Sequence, residues 1–494
     1  RFRALQVKMC MGMRPTPKPP GEKETKTPAA AHSLIWPLLF SQVPPKKILF
    51  SLGKCLNISG CYGLTRAIIE SIICYRHIRM APETGVPAAS APRAIIDAMK
   101  GQYGQYDAII VGAGPGGSSA ACSLAARGFR VLLLDKEVFP REKICGDGIA
   151  PRAVHSLYHL GLREELEGRF KRTSGIRFYA TRGGLTEVRY PMGSLYPDHG
   201  YVVPRRDLDL ILLDKAVAMG AEVMQGCRVT GILPERGGRI PGVTAEYRDE
   251  RLELEGRFVV GADGPSSLVG KELGLLNDNP LYLGVSVRCY MTGVGGVSDF
   301  LEIYPEDAIS PSCGWIFPVD DKTANVGVGF MLYARHKRRI NLNRIFDDFI
   351  LHTRHAAAKL REARPLGRLR GAKLRVGMGG AVSRRANVLL VGDAASLTNP
   401  ISGEGITYAL ESGRWAGETL AAALHSGDET ILENYPRILE WYYRRYFFLG
   451  TLAIRYGNNP YFVNPLLFTT SRLPRLGDKM GRFLMNCRRS DHPL

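Results

Sequence analysis

No Cys-x-x-Cys pair occurs among the ten cysteines of this 494-residue chain, which stand at 10, 55, 61, 74, 122, 145, 227, 289, 313 and 487. That absence leaves no candidate zinc site and no thioredoxin-like redox pair. Ten scattered cysteines in so long a chain do not make a disulfide scaffold either, so reduced thiols in a reducing compartment are expected. The first hundred residues hold no apolar run of the roughly 18 residues that span a bilayer. The stretches 34–40 and 68–73 are far shorter, and Glu70 interrupts the second. Internal repeats and low-complexity segments are missing from the body that follows. No helix-turn-helix, zinc-finger or RNA-binding signature accompanies the net charge of +19, so nucleic acid is not an expected partner.

That charge is unevenly spread. Residues 1–100 carry 15 Lys and Arg against 5 Asp and Glu, leaving 51 against 42 for the rest. A mildly basic body suits an anionic membrane surface or a phosphorylated cofactor. At 45% hydrophobic and 23% charged residues the composition is that of a globular protein. The leader begins with Arg1, is rich in Pro, Lys and Ala, and lacks sustained periodicity. It reads either as an organelle transit peptide or as an upstream translation artefact with the start near Met80. The location expected for the protein is the cytoplasmic face of a membrane, or a plastid if the leader is a transit peptide.

From Tyr106 the text changes. Tyr106-Asp107-Ala108-Ile109-Ile110-Val111 has the composition of a buried parallel strand and runs into Gly112-Ala113-Gly114-Pro115-Gly116-Gly117. An Ala-rich helix is expected over 118–127, then a second apolar strand over 130–134 ending in Asp135. Gly112 permits the tight turn, Gly114 lets the backbone approach a pyrophosphate, and Gly117 lets the helix pack on the strand. Free amides at the helix start face the phosphates, and Asp135 stands where an acid accepts hydrogen bonds from a ribose. Strand, turn, helix, strand and acid in that order make a dinucleotide site.

Two later segments end buried strands with an acid. Residues 257–263 finish at Asp263 and enter Gly264-Pro265-Ser266-Ser267, while 387–393 finish at Gly392-Asp393. Asn399-Pro400-Ile401-Ser402-Gly403-Glu404-Gly405-Ile406 then opens a long helix from Thr407. With Arg205-Arg206-Asp207-Leu208-Asp209, this combination resembles the FAD-dependent family that includes aromatic hydroxylases and geranylgeranyl reductases. The resemblance implies FAD as cofactor, with Asp393 on the ribitol and the turn at Gly403, Gly405 and Ile406 against flavin and pyrophosphate. It also implies cofactor contacts from Arg205 on the phosphate side and from Pro115, Lys136, Val229, Asp263, Gly264 and Gly392. Taken alone, Asp393 reads equally as a strand-end or capping acid.

Within that family two stretches resemble the geranylgeranyl reductase branch, which includes relatives acting on menaquinone side chains. Lys143-Ile144-Cys145-Gly146-Asp147 is similar to its Lys-Pro-Cys-Gly-Asp element, with Ile144 where Pro is usual. Gly314-Trp315-Ile316-Phe317-Pro318 looks like its Tyr-x-Trp-x-Phe-Pro element, with Cys313 in place of Tyr. The resemblance covers about 106–423. It implies substrate contacts at Gly146, Asp147, Trp315, Phe317 and Pro318. Trp315 and Phe317 alternate on a strand, so both can face one cavity, although ordinary sheet-core aromatics would look the same. Cys145 is the candidate proton donor at the flavin edge, the other reading being a small residue in a tight loop.

The fold class expected is α/β. A doubly wound, Rossmann-like FAD domain (106–172, 199–277 and 373–427) carries an inserted mixed-sheet substrate domain (173–198 and 278–372) and a helical cap (428–494), after the leader at 1–100. The implied reaction is reduction of prenyl double bonds in a lipid, quinone or chlorophyll side chain. A flavin monooxygenase and a flavin electron-transfer protein are the alternatives. A second nucleotide fingerprint is missing, so NAD(P)H or ferredoxin would act as a transient donor. Eleven aromatics fall within 435–468, interleaved with Arg437, Arg444, Arg445 and Arg455. They suit either a peripheral membrane contact or a cap on the core.

Overall fold

The computed structural model describes residues 106–179, 184–305, 309, 312–332 and 341–457, with 469, 479 and 483 as single positions. The leader expected at 1–100 lies outside them.

Continuous runs of Val, Ile and Leu, without polar alternation, belong to strands covered on both faces. Three such runs form the centre of the first sheet. Tyr106–Val111 lies between Glu250–Gly261 and Val131–Asp135, parallel to both, with Ile109 opposite Val259 and Leu132. Val388–Leu390 extends the parallel array beyond Glu250–Gly261, and Glu222–Gln225 extends it beyond Val131–Asp135. Helix Pro115–Ala125 is buried along its whole length. It packs against Ile406–Ser426, where the Ser119 hydroxyl donates to the Leu410 carbonyl at 2.7 Å. Strand Glu250–Gly261 is longer than the sequence suggests, because its first half pairs with Gly242–Tyr247 in an antiparallel ribbon.

The second sheet is mixed. Its order is Arg364–Pro365, Leu283–Thr292, Thr323–Met331, Cys313–Pro318, Phe300–Tyr304, Gly175–Tyr179, Leu185–Arg189, and Arg370–Arg375 also pairs with Leu283–Thr292. One face buries Ile316, Val326 and Val328 against Phe346 and Phe349 of helix Leu342–His352. A small third sheet joins Gly148–Ile149, Gly200–Val202 and Lys171–Thr173, so the Cys145–Asp147 turn is tied to its surroundings at once. The fold class expected from the sequence is the one observed.

Helix Asn434–Gly457 divides its apolar residues between two faces. Tyr435, Leu439, Tyr443 and Phe447 recur every four residues and are buried, the spacing of one helical stripe. Trp441, Phe448, Leu449 and Leu452 are exposed. Among the described residues no helix is long and apolar enough to cross a membrane.

Candidate active site

The glycine-rich turn is built from backbone contacts. Gly112 has φ +103° and donates its N–H to Leu134 O at 2.7 Å, while Ala113 N donates to Asp135 Oδ2 at 2.9 Å. A Cβ at Gly117 would stand 1.8 Å from the Gly112 carbonyl oxygen, so that residue serves packing. Gly114 differs. A Cβ there would meet only Arg141 Nη2 at 3.8 Å and Arg205 Nη2 at 3.9 Å. Pro115, which has no N–H to lose, occupies the start of the helix, and the following amides have no intrahelical acceptors. An open approach bordered by two guanidinium groups and free amides fits a pyrophosphate.

The two arginines share one anchor. Arg205 grips Asp209 through Nε and Nη2, both at 2.7 Å, and Arg141 Nη1 lies 2.8 Å from Asp209 Oδ2. Asp209 is fully buried. Arg141 is also 3.7 Å from Asp135, so the acid at the second strand's end both props the turn and touches the cationic wall.

On the other side, Gly264 (φ +80°) faces Lys143 Nζ at 3.8 Å from its missing Cβ. Burial pushes the Lys143 ammonium below its ordinary range, against the opposing pull of Asp393. Asp393 Oδ1 accepts from Thr398 Oγ1 at 2.6 Å and lies 3.2 Å from where a Gly405 Cβ would be. Gly392 (φ +55°) and Gly403 (φ +68°) shape this loop, and Ile406 is the buried first residue of the helix. The Glu404 carboxyl is pushed up to about 7 by burial, while Thr407 N donates to it.

Three more residues expected at the cofactor stand as follows. Asp263 accepts from Ser267 Oγ and from the Leu268 and Val269 amides, so it shapes the Gly264 turn with both oxygens engaged locally. Lys136 is exposed just after Asp135, and Val229 pairs with Ala245 in the antiparallel ribbon and packs on the main core.

The substrate side faces the Cys145–Asp147 turn. Trp315 and Phe317 are partly exposed while Gly314, Ile316 and Pro318 are buried on the opposite face. Pro318 therefore does not share the aromatic wall, because neighbours on a strand point to opposite sides. Trp315 lies across Gly327, its register partner, whose Cβ would be 2.2 Å from the indole. Phe317 and Trp315 come within 3.0 and 3.6 Å of the missing Cβ of Gly146. The Trp315 indole N–H donates to Asn325 Oδ1 at 3.0 Å, and Asn325 Nδ2 donates to Cys145 O and Asp147 Oδ2, each at 2.7 Å. Tyr290, the register partner of Asn325, donates its hydroxyl to the same Asp147 oxygen at 2.5 Å.

Cys145 accepts from Asp147 N at 3.3 Å. Its thiol is pushed up, first by burial and then by Asp147, with Arg205 pulling the other way. It is held as a neutral thiol. The sequence assigned no role to Arg141, Lys143, Asp209, Tyr290 and Asn325, although Lys143 and Asp209 stand inside its motifs. The first two stand in the Phe139–Asp147 segment as cations beside a phosphate-binding turn, which was a readable signal; Tyr290 carried none.

Comparison with known proteins agrees with this geometry. A family model described as an FAD binding domain matches residues 105–439. The menaquinone reductase of Mycolicibacterium smegmatis is 33% identical over 348 residues, 69% of this chain and 82% of that protein. The digeranylgeranylglycerophospholipid reductase of Methanocella arvoryzae is 31% identical over 330 residues, 66% of this chain and 79% of that protein. The chain belongs to the geranylgeranyl reductase family. It is thus an FAD-dependent oxidoreductase. A geranylgeranyl bacteriochlorophyll reductase-like protein from Thermoplasma acidophilum shares its fold, with a TM-score of 0.63 at 24% identity over 77% of this chain and 91% of that one. The flavin-dependent brominase Bmp2 does too, at 0.66 and 20% over 78% and 94%. In a geranylgeranyl reductase family member, the residues that would hold FAD are the Gly112–Gly117 turn, Arg141, Arg205, Lys143, Asp393 and the Gly403–Gly405 loop.

Proposed function

We propose that this protein saturates isoprenoid double bonds in the side chain of a lipid, quinone or tetrapyrrole. The observation that carries the reading is the aromatic wall of Trp315 and Phe317 set against the Cys145–Asp147 turn, beside the cofactor cradle. Such a wall binds a long polyprenyl chain because each buried methylene contributes about 0.8 kcal/mol without a directional partner. When bound and reduced, FAD supplies the hydride; the chain's own residues orient the alkene, exclude water and deliver the proton.

Mass spectrometry of isoprenoid lipids incubated anaerobically with dithionite-reduced protein tests this, because the chemical reductant replaces the natural donor. A gain of two hydrogens, or multiples of two, is expected. No gain with any isoprenoid, followed by gain of oxygen in air with NADPH, would move the protein to the monooxygenases.

The same reading includes a peripheral membrane contact, since the substrate's tail resides in lipid. Exposed Trp441, Phe448, Leu449 and Leu452 on Asn434–Gly457, flanked by exposed Arg444 and Arg445, have the composition of an interfacial helix. The double substitution Trp441→Ser and Phe448→Ser should lower cosedimentation with anionic phosphatidylserine vesicles by about tenfold or more, at about 1.5 to 3 kcal/mol per buried large apolar side chain. Unchanged cosedimentation would remove this helix from the contact.

A further inference from the structure

We infer that Asp147 is the acid that delivers the proton in alkene reduction, reloaded through the hydroxyl of Tyr290. The inference rests on the reductase reading. Asp147 is fully buried, and the two hydrogen bonds it accepts, from Tyr290 and Asn325, fall on Oδ2. Its Oδ1 is buried with no hydrogen-bond partner. Leaving a carboxylate oxygen in that state is costly, whereas a carboxylic acid is suited to it. The turn carrying Asp147 faces Phe317 and Trp315 through Gly146, so the acid stands beside the wall where an isoprenoid would lie.

The charged and titratable groups around it are Tyr290 and Arg288 from the second sheet, Arg205 from the arginine pair, and Cys145 from its own turn. Burial outweighs the opposing pull of Tyr290, Arg288, Asn325 and Arg205, and the carboxyl is pushed up to about 6. The Cys145 thiol, raised above its ordinary range, is the weaker acid of the two.

The step balances. The O–H bond of Asp147 breaks and a C–H bond forms at one alkene carbon. The other carbon receives the hydride, with its two electrons, from the reduced flavin, which is oxidised. The carboxylate is then reprotonated from water by relay: the Tyr290 hydroxyl passes on its proton as it accepts another and stays neutral throughout, because burial and Asp147 push that phenol above its ordinary range. Tyr290 is half-buried, and Arg288 above its ring at 4.2 Å reaches Glu142, which is 40% exposed.

Asp147 has φ +65°, a conformation that asparagine tolerates better than most residues. The side-chain carbonyl of an asparagine at this position can also keep both hydrogen bonds, so Asp147→Asn is expected to fold. Three measurements on the holoenzyme settle the inference. In pH-difference infrared spectra of the resting protein, a carboxyl band titrating near 6 should disappear in D147N. Single turnover of dithionite-reduced protein should fall above pH 6 in the wild type, and D147N should be slower by about 100-fold or more. Tyr290→Phe, which removes a bond stabilising the carboxylate, should move the titration midpoint upward. No saturated product from the wild type would sink the reductase reading and the inference together. Product from the wild type, with D147N within threefold of it and the pH limb unchanged, would overturn the inference alone, as would loss of that limb in Cys145→Ser but not in D147N.

Discussion

Gly114→Ala should yield a folded protein that has lost its cofactor, and Gly117→Ala a protein that does not fold normally. The two residues lie three apart in one turn, yet the structure separates their tasks. At Gly117 an added methyl would lie 1.8 Å from the Gly112 carbonyl and 3.1 Å from Ala262 Cβ. Backbone cannot yield there, and overpacking of this kind costs about 3 kcal/mol or more. At Gly114 the same methyl meets only guanidinium nitrogens at 3.8 and 3.9 Å, and φ −75° is open to alanine. The methyl instead occupies the space through which a pyrophosphate approaches the amides. FAD affinity should drop by about 10- to 100-fold, corresponding to about 1–3 kcal/mol. Flavin fluorescence titration and circular dichroism, read together, check both outcomes. A Gly114→Ala protein that retains full FAD affinity would remove this turn from the phosphate site.

Glu411→Ala should destabilise the protein by about 3–5 kcal/mol, because it removes the carboxylate that pairs with a buried arginine. Arg152 bonds Glu411 through Nε at 3.1 Å and Nη2 at 2.6 Å, and Tyr443 donates to the same carboxylate. Arg152 and Glu411 are 5% and 7% exposed, so solvent screens little of the interaction. The rings of Tyr408, Tyr443 and Tyr196 stand within 6.0 Å of the guanidinium. This cluster joins the helix Pro151–His159, which follows the Asp147 turn, to Ile406–Ser426, which follows the Gly403 loop, and to the C-terminal helix. Replacing both charges, as Arg152→Met with Glu411→Leu, should recover most of the loss, since both members of the buried ion pair are then replaced by apolar groups. Denaturant unfolding of the two variants is the measurement. Equal midpoints for Glu411→Ala and the wild type would mean that the pair contributes nothing net.

The aromatic wall shows where reading residues in a line succeeds and where it stops. Period-two alternation correctly puts Trp315 and Phe317 on one face, and the same alternation puts Pro318 on the other. The pairing of Trp315 with Gly327 explains why the strand after the wall is glycine-rich, a reason not visible until the register is known. Likewise the aromatics of 435–448 serve a core stripe and an exposed stripe at once, because the residues are distributed around one helix.

The chain's local text determined the nucleotide turn, the acids at strand ends, the order of strand and helix, and so a dinucleotide-binding fold, with FAD implied by the resemblance of the later segments. These follow from steric and hydrogen-bonding rules that act over a few residues, as with glycines at Gly112, Gly114 and Gly117. Tertiary structure alone decided what surrounds Asp147 and how the cations gather at the turn. Tyr290 reaches Asp147 across 143 residues of chain and Asn325 across 178, and Arg141 meets Arg205 only because both turn to Asp209. No periodicity announces such convergence. Burial and unpaired lone pairs, which set the acidity of Asp147, exist only after two sheets have closed around it.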